Sequence, residues 1–137
     1  MKVLLDTNVV LDAIAKREPF HLDAQNVIDL ILDNKLEGYI TANSITDIYY
    51  IAKKHINQND LRNTMRSLFT IFSIVDVLGT DCHKALDFPL DDYEDALLVV
   101  CSGKIAIDHI ITRDKEFLQE AKPSIPVISP ADFLQTL

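Results

Sequence analysis

Asp6, Asp47, Asp95 and Asp114 are the residues of this chain whose type and placement could do chemistry. Asp6 ends the apolar run Val3-Leu4-Leu5, and Asp114 follows a second run, His109-Ile110-Ile111-Thr112. An acid at the carboxyl end of a strand lies where open α/β sheets bind their ligands. Asp95 opens the apolar stretch Ala96-Leu97-Leu98-Val99-Val100, and Asp47 lies near the start of a helical pattern. Carboxylates gathered in one crevice repel one another, so the group needs a cation or bound protons to offset the cost. Oxygen ligands without Cys or His spacing favour Mg²⁺ or Mn²⁺ over zinc. Such ions commonly serve phosphodiester hydrolysis, by orienting phosphate and lowering the pKa of an attacking water.

Each acid also has a plainer reading as a helix cap. Asp6, Thr7 or Asn8 suits the start of a helix, and Ser44-Ile45-Thr46-Asp47 fits a capping box with Asp in place of Glu or Gln. Asp92 and Asp95 suit the first turn of their helix, and Asp114 can cap Lys115 to Glu120. His21, His55, His83 and His109 are scattered without ligand spacing, and there is no P-loop, G-x-G-x-x-G or G-x-S-x-G.

The elements that must position these acids follow from periodicity. Lys2 to Leu5 reads as a strand and Val9 to Ala15 as a short helix, broken at Arg17-Glu18-Pro19. His21 to Leu36 carries Leu22, Val27, Ile28, Ile31 and Leu32 at near-helical spacing, with Gly38 as the expected stop. Tyr39 to Thr41 is a second strand. Ser44 to Lys54 is an amphipathic helix with Ile45, Ile48, Tyr49 and Ala52 on one stripe. After the polar break Asn57 to Asp60, Leu61 to Phe72 places Leu61, Met65, Leu68 and Phe69 on one side, so the two helices form an arm-like hairpin. Ile74 to Leu78 is a third strand, and Asp81 can cap a helix running to about Phe88. The segment from Asp91 onward is an acidic helix start followed by a buried helix, His109 to Thr112 is a fourth strand, and Pro126 to Ile128 a fifth. Ser129-Pro130 opens a terminal helix. Strands alternating with helices predict a three-layer α/β/α fold around a mainly parallel sheet of about five strands.

The length of 137 residues suits a single domain, residues 1–137. No apolar run approaches the roughly 20 residues of a membrane span, so a cytoplasmic protein without membrane attachment is expected. Cys82 and Cys101 lack metal or disulfide-frame spacing and fit reduced, packed thiols. A net charge of −8 argues against nucleic-acid binding by general basicity, although a carboxylate metal site would itself push the balance negative. The strongest basic bias is local: Lys53, Lys54, Arg62 and Arg66 face only Asp60 within the arm. These four can be a solvated helix face or a contact for RNA or an acidic partner.

Four segments together resemble a known family: Leu5-Asp6-Thr7-Asn8-Val9, the helix with Asp47, Asp92-Tyr93-Glu94-Asp95-Ala96-Leu97, and Ile111-Thr112-Arg113-Asp114-Lys115-Glu116-Phe117. Their order and spacing are similar to PIN domains, notably the small bacterial kind that includes VapC-like toxins of toxin-antitoxin pairs. The likeness covers essentially the whole chain. It implies a metal-dependent ribonuclease acting on single-stranded RNA, with Asp6, Asp95 and Asp114 holding Mg²⁺ or Mn²⁺. Asn8, Asp92 and Thr112 would line the site. It also implies a homodimer and a small antitoxin partner. One departure stands out: the family usually has Glu where this chain has Asp47, one methylene shorter. Two other functions are weighed against this one. A catalytically silent module would keep the fold without cleavage, and a phosphatase of the haloacid dehalogenase type would need a second Asp at position 8, which is Asn.

Overall fold

In the computed structural model, which describes residues 1–137, five strands form one sheet in the order β3-β2-β1-β4-β5, with every pairing parallel. The strands are β1 (Lys2–Leu5), β2 (Glu37–Thr41), β3 (Ser73–Val75), β4 (His109–Ile111) and β5 (Val127–Ile128). The helices are α1 (Thr7–Ile14), α2 (His21–Leu32), α3 (Ala42–Ala52), α4 (Gln58–Ile71), α5 (Gly79–Asp87), α6 (Tyr93–Lys104), α7 (Lys115–Gln119) and α8 (Pro130–Gln135). The expected architecture is the one found.

Alternate side chains of the central strand enter opposite cores, as strand geometry requires. Val3 and Leu5 join the cluster built with α1 to α4 and α8, while Leu4 joins the one built with α5 to α7. The chain runs outward from β1 through β2 to β3, then returns to the other side of β1 with β4 and β5. The order therefore reverses between β1 and β4, and a ligand crevice is expected beyond their carboxyl ends.

Several boundaries differ from the sequence expectation for identifiable reasons. Gly38 does not stop α2. It lies inside β2, where an added Cβ would stand 2.6 Å from Ile31 Cδ1 and 2.9 Å from Phe72 Cδ1. The stop is provided by Asn34, in the left-handed region at φ 58°, a conformation Asn tolerates. Leu22 and Leu32 are 64% and 52% exposed and lie off the buried stripe of Ala24, Val27, Ile28 and Ile31. Phe69 is likewise exposed, so the buried side of α4 is Leu61, Met65 and Leu68.

The capping box at Ser44 to Asp47 does not form. Helix α3 starts two residues earlier, directly off β2, and the buried Ser44 hydroxyl is 2.9 Å from that of Thr41. Helix α1 starts at Thr7 because Asp6 caps it. Strand β3 ends at Val75. Asp81 lies inside α5, reaching back to the Leu78 amide (2.8 Å) while the Lys104 ammonium donates to it at 2.5 Å.

Candidate active site

Asp6 is placed by β1 and held by three donors from the turns that follow the adjacent strands β1 and β4. Its Oδ1 accepts from the Thr7 amide at 2.8 Å, which starts α1. Its Oδ2 accepts from the Thr112 hydroxyl at 2.8 Å and from Asn8 Nδ2 at 3.3 Å. Thr112 itself is fully buried, and its Oγ1 in turn accepts from the Asp114 amide at 3.2 Å. The Arg113 amide donates to Asn8 Oδ1 at 3.3 Å. Asn8 and Thr112 thus tie the turn after β1 to the turn after β4, as the hydrogen-bonding capacity of an amide and a hydroxyl allows.

Asp114 caps α7 by accepting from the Glu116 amide at 3.0 Å, and Asp92 caps α6 by accepting from the Asp95 amide at 3.0 Å. Capping and site-lining coexist here, because each cap uses a single carboxylate oxygen and leaves the other available. Asp95 accepts no hydrogen bond from the protein.

One open cavity of about 340 Å³ collects these acids: Asp6, Asp47, Asp92, Asp95 and Asp114 all line it, with Asn8 beside them. Helix α3 brings Asp47 to its wall. Electrostatics records the crowding. Burial, then repulsion from Asp92, Asp6, Asp114 and Glu94, pushes the Asp95 carboxyl up to about 7. Burial also raises Asp6, with Thr112 and Thr7 hydrogen bonds opposing and Asp114 and Asp92 adding to the rise. Glu94 is raised by burial and then by Asp47, Asp92 and Asp6.

In this arrangement no three acids stand close enough to surround a single ion. The donor chemistry nevertheless suits a hard cation: the acids on the cavity wall are all carboxylates, no His or Cys is among its lining residues, and Asp95 carries a repulsion that positive charge relieves. Asp95 and one oxygen each of Asp92 and Asp114 are free of protein donors.

Four charged residues that line or support the cavity were not among the sequence candidates. Glu94 precedes Asp95 on α6 and lines the cavity. Arg17 and Arg113 line it as well, and both bind the buried Asp12. The available signal was Asp12 itself, an acid in the otherwise apolar Val9 to Ile14 helix, where a charge demands a partner.

The four cations of the arm are elsewhere. Arg62 and Arg66 line a groove of about 380 Å³ between α3 and α4, together with Ile45, Tyr49, Tyr50, Met65 and Phe69. Lys53 lies 5.8 Å from the Tyr50 ring centre, and the Arg62 guanidinium 6.0 Å from that of Tyr49. Lys54 is exposed and lies outside the groove lining.

A parallel sheet whose strand order reverses over a carboxylate-lined cavity defines the class: an α/β protein with a candidate site at the carboxyl ends of β1 and β4. Residues 2–116 match the PIN domain, and the chain belongs to that family. It is similar to Ribonuclease VapC1 of Aquifex aeolicus (strain VF5), 27% identical over 139 residues that span 98% of this chain and 94% of that protein. Among solved structures it resembles VapBC2 from Rickettsia felis bound to a DNA fragment from their promoter, with a TM-score of 0.70, 16% identity and coverage of 94% of this chain and 98% of that one. DNA-bound VapBC from Salmonella typhimurium gives a TM-score of 0.69 at 16% identity, covering 95% of this chain and 98% of that one. At such identities these two structures bear on the fold.

Proposed function

We propose that this protein is a Mg²⁺- or Mn²⁺-dependent endoribonuclease that hydrolyses phosphodiester bonds of single-stranded RNA. The observation that carries the proposal is the convergence of Asp6, Asp95 and Asp114, from three separate elements, on one cavity in which Asp95 is pushed up to about 7. A relative across nearly the whole chain bears the name ribonuclease, which supports the same activity.

Asp6, Asp95 and Asp114 would hold the metal. When bound, such an ion supplies a Lewis acid for the phosphate and lowers the pKa of a neighbouring water. The protein's own part is positioning. Thr112 and Asn8 fix the rotamer of Asp6 through Oδ2, so one carboxylate is presented at a set angle before substrate arrives. Asp92 supports the first turn of α6 and thereby the origin of Asp95. Asp47 is exposed and lines the cavity from α3, where its carboxylate can orient a water or a substrate hydroxyl. The phosphatase alternative has no second acid: position 8 is an amide already bonded to Asp6 and Thr112.

The proposal extends to a toxin's role opposite a small antitoxin, because the neighbouring folds were solved as VapBC complexes. The α3–α4 groove, apolar within and edged by Arg62 and Arg66, suits an antitoxin segment with apolar and acidic side chains better than RNA. No helix is long and apolar enough to cross a membrane. A homodimer is proposed from the family alone, and sedimentation as a monomer at high micromolar concentration would refute it.

The test is cleavage of a labelled single-stranded RNA with Mn²⁺ present. Asp6→Asn, Asp95→Asn and Asp114→Asn should each lose cleavage by orders of magnitude while remaining folded, since Asn preserves the caps at Asp6 and Asp114 and the size of Asp95 but removes a ligand charge. Cleavage at the parental rate by Asp6→Asn and Asp114→Asn overturns the assignment. A parent that folds, binds the antitoxin and never cleaves is instead the silent module.

A further inference from the structure

Asp12 is 1% exposed, yet it is a carboxylate on a helix otherwise packed into the core. Both its oxygens are bonded to guanidinium groups. Oδ1 accepts from Arg17 Nε at 2.8 Å and from an Arg113 terminal nitrogen at 3.1 Å, and Oδ2 accepts from Arg113 Nε at 2.5 Å. Arg17 donates further to the Asn8 carbonyl at 3.1 Å, and the Arg113 guanidinium stacks 4.0 Å from the centre of the Phe20 ring. These contacts hold both side chains rigid.

The burial is asymmetric. The carboxylate faces inward, whereas the arginine side chains are 28% and 31% exposed and line the carboxylate cavity. They are its only cations. Two guanidinium groups on one carboxylate leave the trio with a net positive charge, and neither arginine donates to Asp6, Asp95 or Asp114. Each keeps at least one terminal nitrogen free of protein acceptors. A single arginine would satisfy a buried Asp, but a second, with a donor to spare on the wall of a cavity, is suited to an anion.

We propose that Asp12 is a positioning residue that holds Arg17 and Arg113 as a two-guanidinium clamp for a backbone phosphate of the RNA at the edge of the carboxylate cavity. The proposal rests on the ribonuclease reading for the identity of the anion. It answers a difficulty in that reading: a chain of net charge −8 must bring a polyanion against a wall of acids. The clamp supplies fixed positive charge there without neutralising the carboxylates meant for metal.

The test uses the full chain with Mn²⁺, a cleavable single-stranded RNA for kinetics, and a 2′-O-methyl oligonucleotide of the same sequence for binding by fluorescence anisotropy. Arg17→Gln and Arg113→Gln should each weaken binding about tenfold, the size of a lost charged hydrogen bond. Each should also flatten the logarithmic salt slope by about 0.7, one phosphate contact to a single strand. Arg113→Lys keeps the charge but loses the forked donor, and should recover the slope but not the full affinity.

Asp12→Asn decides between positioning and mere charge. It makes the chain less acidic, so unspecific electrostatics predicts tighter binding, whereas a clamp that has lost its anchor binds about tenfold more weakly with a raised KM. If this variant fails to fold, the arginine variants carry the test alone. Unchanged affinity and salt slope in both glutamine variants, with cleavage by the parent intact, overturns the clamp and leaves the nuclease standing. Loss of binding in those variants with no cleavage by the parent overturns the nuclease and leaves the phosphate clamp. A parent that neither binds nor cleaves overturns both.

Discussion

The Thr112 hydroxyl donates to Asp6 Oδ2 at 2.8 Å, joining residues 106 positions apart in the chain. The bond closes the switch point of the sheet, since β1 and β4 meet there and their following turns carry Asp6 and Asp114. Thr112 also accepts from the Asp114 amide, so one buried hydroxyl sets the relation between two candidate metal ligands.

Thr112→Val keeps the shape of the side chain and removes this hydroxyl. It strips Asp6 Oδ2 of its shorter hydrogen bond and orphans the Asp114 amide, so stability should fall by about 1–3 kcal/mol. Cleavage should fall further than stability explains, because Asp6 is freed to rotate. Thr112→Ser should restore both, and a melting curve beside an RNA cleavage assay checks the pair. Equal activity in the Val variant would remove Thr112 from the site's machinery.

Asp95 makes the metal-free protein sensitive to pH. Its carboxyl titrates near 7 in the fold, against an ordinary 3.8, because burial and its acidic neighbours disfavour the charged form. The folded state therefore binds the proton more tightly than the unfolded state, and this contribution to stability is present in full below about 4 and lost as pH rises to about 7. In EDTA the parent should melt a few degrees lower at pH 8 than at pH 5, after allowance for solvent screening of a partly exposed group. Asp95→Asn should melt higher at pH 8 and lose most of that difference. A parent with no such slope contradicts the crowding seen in the cavity.

Millimolar Mn²⁺ should raise the melting temperature of the parent, since an ion that binds only the folded carboxylates stabilises by mass action. The rise should shrink in Asp6→Asn and Asp114→Asn. Calorimetry showing the same transition with and without Mn²⁺ would count against a metal site in this cavity.

Asp47 reaches the cavity wall from α3 with a side chain one methylene shorter than Glu. It accepts no hydrogen bond from the protein, so nothing else holds it there. Asp47→Glu should increase cleavage several-fold, and Asp47→Ala should reduce it, with little change in either melting temperature because the position is exposed. Equal rates for all three proteins would exclude the residue from the reaction.

Gly38→Ala tests the packing behind β2. The new methyl would stand 2.6 Å from Ile31 Cδ1 and 2.9 Å from Phe72 Cδ1, so these side chains must shift. A loss of about 1–3 kcal/mol is expected, the usual cost of overpacking, and thermal denaturation measures it. Cleavage at permissive temperature should be unaffected.

Much of this protein was legible in its sequence because the signals are local. The apolar runs ending at Asp6 and after Ile111, the alternation of strand and helix, and the acids that start α6 and α7 all depend on periodicity and capping over a few residues. They were enough to place the four acids at the carboxyl edge of a parallel sheet. What the tertiary structure decided is of another kind. Gly38 looks like a helix stop until Ile31 and Phe72 are seen against it, and the supposed capping box vanishes because Thr41 binds Ser44 where strand runs straight into helix. The ion pairs of Asp12 with Arg17 and Arg113 span 5 and 101 residues, and no periodicity connects them. Contacts between distant segments are fixed by how layers pack, and a side chain's partner across a sheet leaves no trace in the spacing of its own segment. That is why those four carboxylates could be found from the sequence and the arginines beside them could not.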